Sequence, residues 1–316
     1  MTNIIIAELL IEQGLHPDIL VGHSFGELTA LTIGGVFDFE TSVEIVYQRI
    51  QVLRNFASNI GGMMAIACGA QRLTELFSAI KKTALTVAVI NHPQQIVLSG
   101  LYTELQQVES ELVPQGISCT FLKSRYLFHS ALLAPAVASF CSSLQQFSFQ
   151  APKIPVYSPI NKAFYTANTD FPQTLAAHFI QVVNFSQAVK ILQQQGIYSF
   201  IECGASRVLT KLVQKNLPSE PEAIAQSVMS DDRNIIEVLQ HILRAYSGQL
   251  SHPQPTPENN EKLHPVVDEA FSYGKWEIEP EELTAFSSAA LSSDSETNGT
   301  NALTSASNYY KTMKAA

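Results

Sequence analysis

Apolar positions at the start of the chain recur on a helical period. Ile4, Leu9 and Ile11 in IIIAELLIEQGL belong to an apolar helix, which ends at Gly14 before Pro17 forbids continuation. Asp18–Val21 (DILV) is a short apolar run suited to a strand buried on both faces, as in a parallel sheet. GHSFGELTALTIGG then turns helical. Thr41–Ala57 reads as a further helix, with Ile45, Ile50, Leu53 and Phe56 as its core contacts.

Residues 61–123 read as a self-contained unit. MMAIAC is a strand, AQRLTELFSAI a helix, LTVAVI and QQIVLSG two strands joined at Asn91-His92-Pro93, LYTELQQVESELVPQG a helix and ISCTFLK a last strand. The order βαββαβ predicts a small ferredoxin-like sheet with helices on one face. From Ser124 the α/β alternation resumes. It runs through helix LAPAVASFCSSLQQF, strand IPVYSPI, a helix around 171–180, helix SQAVKILQQQG, strand YSFIEC, helix VLTKLVQKNL and the segment NIIEVLQHILRAYSG.

The expected architecture is therefore a large α/β-hydrolase-like parallel-sheet subdomain (1–60 and 124–250) interrupted by the ferredoxin-like one (61–123). Residues 251–316 form a linker or disordered low-complexity tail. SHPQPTPENNEK and SSAALSSDSETNGTNALTSASN carry its polar bias, and Trp276 stands between them.

Composition narrows the function classes. Net charge is −9, and residues 251–316 hold four basic and ten acidic side chains, so the acidity is concentrated in the tail. No basic stripe is present to attract a nucleic-acid backbone. No apolar run approaches a membrane span, and Glu8 and Glu12 break up the only stretch resembling a signal core. Cys68, Cys119, Cys141 and Cys203 form no C-x-x-C pair, which argues against a zinc site and fits reduced thiols in the cytoplasm.

Gly22-His23-Ser24-Phe25-Gly26 matches G-x-S-x-G between a strand and a helix, the context in which a serine sits exposed on a sharp turn. A side chain at either glycine would crowd that turn. The Phe25 N–H would face a developing oxyanion at the helix start. Serine needs a base. His129, in RYLFHSALLAP, lies where the chain leaves the small unit for the large one, and a cleft is expected at such a boundary. His23 should point away from a tight elbow.

GHSFGELTAL, Arg49 placed 25 residues after Ser24, GGMMAI, NHPQQIVLSG, FHSALLAP, VVNFSQAV and FIECGASRVLTKL follow one another in a single order. Together they resemble the acyltransferase domain of fatty acid and polyketide synthases, the malonyl-CoA:acyl carrier protein transacylase family, over about residues 3–247. The resemblance implies that Ser24 takes an acyl group from a CoA thioester. It makes His129 the base for Ser24 and then for the phosphopantetheine thiol of an acyl carrier protein. Arg49 would pair with the free carboxylate of a malonyl group, which a planar guanidinium grips bidentately. Phe128 would leave little room for an α-methyl branch. Neither metal nor nucleotide cofactor is implied, CoA enters as a substrate, and neighbouring ketosynthase or other synthase domains are possible partners.

Three departures accompany the resemblance. Relatives open with a strand and a glycine–glutamine loop that supplies a second oxyanion donor, whereas this sequence opens on the helix. That difference fits a piece of a larger synthase. His178 stands where relatives often have a glutamine whose carbonyl orients the catalytic histidine, so a backbone contact is expected there. Gly204-Ala205 replaces the usual glycine–proline. Two rivals are an α/β-hydrolase-type esterase or thioesterase with the same elbow, and an inactive synthase fragment.

Overall fold

The computed structural model describes residues 1–55, 61–69, 72, 85–124, 126–204, 206–218, 223–229, 242 and 244. The helix expected over 70–80 apart from Arg72, most of NIIEVLQHILRAYSG, Ala205 and the tail with Trp276 lie outside the described residues.

Helix α1 (Thr2–Glu12) buries Ile4, Ile6, Ala7 and Leu10. Leu9 lies on this helix as expected, on its exposed side. Strand β1 (Leu20–Val21) leads to the turn at residues 22–25, and α2 (Gly26–Ile33) follows it. Helix α3 (Phe39–Arg54) starts where the Asp38 side chain accepts from the Thr41 N–H at 2.8 Å. Ile45 and Leu53 are buried on it, but Ile50 is 45% exposed. Five residues beyond Ile45, Ile50 lies about 140° around the helix, whereas Arg49 is only about 40° away. The helical period thus puts a guanidinium on the core face and an isoleucine outside.

β1 pairs in parallel with β6 (Val156–Ser158), which pairs antiparallel with β7 (Ala163–Phe164). β9 (Ser199–Glu202) pairs in parallel with β10 (Ile224–Ser227). Glu202 fixes the next helix (Val208–Asn216) by accepting from the Leu209 and Thr210 N–H groups and the Thr210 hydroxyl. β7, β10 and a short β8 (Val183–Asn184) are too brief or too mixed in pattern to have been read from the sequence.

The small unit supplies β2 (Gly61–Ile66), β3 (Thr86–His92), β4 (Gln95–Leu101) and β5 (Cys119–Phe121), antiparallel throughout in the spatial order β5-β2-β4-β3. β8 from the other part of the chain adds in parallel at the β3 edge. One face packs Met64, Ile66, Leu98 and Ile96 against helix Tyr102–Leu112. The other face lays Met63, Ala88, Val89 and Val97 on Ile160 and Val183, with Phe128 against them. That apolar contact fixes the small sheet beside the turn after β1, and the site forms along this seam.

Candidate active site

The elbow is a tight backbone feature. Ser24 has φ 54°, in the left-handed region that a serine adopts only when its surroundings enforce it. A Cβ on Gly22 would collide with the Glu27 N and the Gly26 carbonyl carbon, so only glycine lets the chain turn back over α2. Gly26 differs from expectation: a Cβ there would meet nothing within 4 Å, so of the two glycines only Gly22 is sterically required. The Gly26, Glu27 and Leu28 N–H groups bond to the carbonyls of His23, Ser24 and Phe25, leaving the Phe25 N–H ahead of the helical ladder.

Ser24 Oγ lies 2.6 Å from His129 Nε2, although 105 residues separate them. His129 is also left-handed, at φ 59°, and is buried. Its Nδ1–H donates to the Gln181 carbonyl at 2.8 Å, which leaves Nε2 unprotonated and ready to accept from the Ser24 hydroxyl. Burial pushes the imidazole down to about 4; the Arg49 charge adds to this, and the Gln181 carbonyl opposes it. The carbonyl bonded to Nδ1 is therefore that of Gln181. His178, proposed from sequence for this contact, adds a smaller backbone pull, and its side chain turns to Tyr165 and Glu27. Gln181 carried no sequence signal, because a backbone carbonyl leaves no mark on residue type.

Arg49 reaches the site from α3. Its guanidinium carbon lies 4.6 Å from the Phe179 ring centroid, 5.3 Å from Phe128 and 5.8 Å from Phe25. Phe25 adjoins Ser24 and Phe128 adjoins His129, so the cation stands against neighbours of both. It is buried, no carboxylate pairs with it among the described residues, and burial lowers it to about 10. A desolvated cation held by rings alone is a receptor for an anion. Phe179, the nearest ring, lies in the turn just past the helix Phe171–Ala177, where no local pattern in the sequence marks it.

His23 points away from the nucleophile's turn, with Nε2 2.9 Å from Asn91 Oδ1 on the small sheet. The structure thus brings Ser24, Phe25, Arg49, Phe128 and His129 to one place. Among the described residues no cluster of histidine, cysteine and carboxylates could hold a metal, and no helix is long and apolar enough to cross a membrane.

The fold is α/β, and it places a strained serine hydrogen-bonded to a histidine with a buried cation, unpaired among the described residues, beside both, an arrangement that fits acyl-transfer chemistry. The chain belongs to the acyl transferase domain family, which it matches over residues 2–251. It is 31% identical to a malonyl CoA-acyl carrier protein transacylase from Synechocystis over 68% of this chain and 71% of that one. It is 30% identical to the non-reducing polyketide synthase pks27 of Aspergillus flavus over 69% of this chain, which spans only 11% of that synthase's length. The fold superposes on FabD from Acinetobacter baumannii with a TM-score of 0.69, 27% identity and 78% coverage of each chain.

Proposed function

We propose that this chain transfers a malonyl group, or another acyl group bearing a free carboxylate, from CoA to the phosphopantetheine thiol of an acyl carrier protein. The observation that carries this reading is Arg49, a buried guanidinium without a carboxylate partner among the described residues, beside the Ser24–His129 pair. An uncharged acyl group would leave that cation desolvated without compensation, whereas a carboxylate meets it bidentately.

The steps follow from the geometry. Ser24 Oγ attacks the thioester carbonyl carbon while its proton passes to His129 Nε2, and the new oxyanion points to the Phe25 N–H. Collapse breaks the carbon–sulfur bond, the proton on His129 goes to the departing CoA sulfur, and an acyl-Ser24 ester remains. The carrier thiol then gives its proton to His129 and attacks the ester. The acyl group leaves on the carrier and Ser24 regains its hydrogen. Phe128, against the guanidinium, restricts branching at the acyl α-carbon.

His129 Nδ1 donates to a backbone carbonyl and not to an Asp or Glu, which weighs against the esterase reading, where a carboxylate would complete a triad. We assign residues 61–123 as an inserted ferredoxin-like subdomain, 1–60 and 124–250 as the larger one, and 251–316 as linker. The four free cysteines suit a reducing, cytoplasmic setting, and neighbouring synthase domains, a ketosynthase above all, are the expected company. Steady-state kinetics with malonyl-CoA and a phosphopantetheinylated carrier protein test the reading. Parallel double-reciprocal lines are expected, and intersecting lines would mean that no covalent acyl-enzyme links the two half-reactions.

A further inference from the structure

One buried polar cluster lies beyond the groups used so far. Glu27 sits one helical turn after Ser24 on α2, its N–H bonded to the Ser24 carbonyl at 3.0 Å, and its side chain is completely buried. The Tyr165 hydroxyl donates to Glu27 Oε2 at 2.6 Å. His178 Nε2 lies 3.2 Å from the Tyr165 oxygen and 3.5 Å from Glu27 Oε2. Tyr165 has one hydrogen, already given to the carboxyl, so the Nε2–H of His178 donates to Tyr165. Asn161 Nδ2 approaches the same oxygen at 3.5 Å.

His178 opens a short stretch of backbone with three links to the site. The Phe179 carbonyl accepts from the Ser130 N–H at 3.1 Å, next to His129. The Phe179 ring lies under Arg49, and the Gln181 carbonyl holds His129 Nδ1. The cluster therefore ties α2, the helix that follows the nucleophile's turn, to the strip that aims both the base and the guanidinium.

We propose that Glu27, Tyr165 and His178 form a positioning network that locks residues 178–181 onto α2 and thereby sets the Ser24–His129 register. This rests on the acyl-transfer chemistry assigned to Ser24 but not on the identity of the acyl group. Burial favours neutral partners, moving Glu27 up to about 7 and His178 down to about 3, so the three groups are joined by hydrogen bonds and not by an ion pair. The side chains of Glu27, Tyr165 and His178 contact one another rather than Ser24 Oγ or His129 Nε2, so they act through the backbone they hold and are positioning residues.

The test uses a fluorophosphonate, which reports Ser24 reactivity and carries neither malonyl nor CoA, so a wrong substrate class would leave its result unchanged. Tyr165→Phe keeps the ring, which stacks on Phe171 at 5.7 Å, and removes only the donor. Its labelling rate, referred to folded protein by circular dichroism, is expected to fall at least ~10-fold, the effect of a small misplacement of base and nucleophile. In malonyl-CoA turnover kcat carries the loss and KM holds. His178→Gln, which keeps a side-chain donor for Tyr165, is expected to label at close to the wild-type rate. A folded Tyr165→Phe that labels like wild type, or a His178→Gln as slow as Tyr165→Phe, would overturn the proposal. Independently of any variant, nitrogen-15 spectra of the wild-type histidines should show His178 neutral with its proton on Nε2 across about pH 5–8. Titration of His178 near its ordinary value, about 6.5, would equally overturn it.

Discussion

Replacing Arg49 with Met should stabilise the protein and abolish its preference for a carboxylate. Desolvation drags the guanidinium from its ordinary 12.5 to about 10. That fall corresponds to about 3 kcal/mol borne by the charged side chain in the folded state. The three ring contacts at 4.6, 5.3 and 5.8 Å offset part of it, at about 0.5–1 kcal/mol each. Methionine fills similar length with no charge to desolvate. The net expectation is a gain of about 1 kcal/mol, or about 2–4 °C in Tm for a chain of this size. The same substitution removes a buried carboxylate pairing, which at about 3 kcal/mol lowers malonyl-CoA kcat/KM about 100-fold. Acetyl-CoA has no carboxylate to lose, so its rate should change little. Thermal unfolding by circular dichroism, with initial acylation rates for both thioesters, measures the two halves together. An Arg49→Met protein less stable than wild type would refute the claim that the cation is unpaired. An unchanged malonyl-to-acetyl ratio would refute its role in recognition.

Other expectations follow from the same geometry. Gly22→Ala drives a Cβ into the Glu27 and Gly26 backbone and should eliminate Ser24 labelling, while Gly26→Ala, with open space around it, should keep it; equal effects in a labelling assay would contradict the account of the elbow. Because His129 is held down to about 4, acylation should persist to about pH 5, and a kcat/KM profile that falls away at 6.5 or above would show an undisturbed base. Stability should also depend on pH in a definite direction. His129 and His178 refuse protons that the unfolded chain binds between their depressed values, about 4 and about 3, and the ordinary 6.5, so stability rises with pH over that window. Glu27, raised from 4.5 to about 7, acts oppositely, retaining a proton the unfolded chain has released. Two histidines outweigh one glutamate, so Tm should climb between about pH 4.5 and 6.5, and Glu27→Gln should steepen the climb; a falling Tm, or a flatter one in Glu27→Gln, would contradict this.

What the sequence disclosed followed from side-chain pattern. The elbow, the early helices and the strands of the small sheet each carry a local signature, in Gly22 and Ser24, in the helical period from Ile45 to Leu53, and in the apolar runs around Val89 and Val97. Arg49 was read from the resemblance; the structure adds that the period that buries Ile45 also turns Arg49 inward. What stayed hidden depended on the folded backbone. Gln181 acts through a carbonyl, Phe179 from the turn beyond a helix, and Glu27 with His178 through a contact between segments 151 residues apart in the chain. Ile50 differs from its expected core place because apolar character alone does not set a face: it lies about 140° around the helix from Ile45 and is exposed.

The central claim is that Ser24 accepts an acyl group from a thioester with His129 as its base. Intact-mass spectrometry of the chain after brief incubation with malonyl-CoA, beside Ser24→Ala, tests it most directly. The account predicts a single malonyl adduct on the wild-type protein and none on the variant. A folded wild-type chain that acquires no adduct, or an adduct that survives in Ser24→Ala, would contradict it.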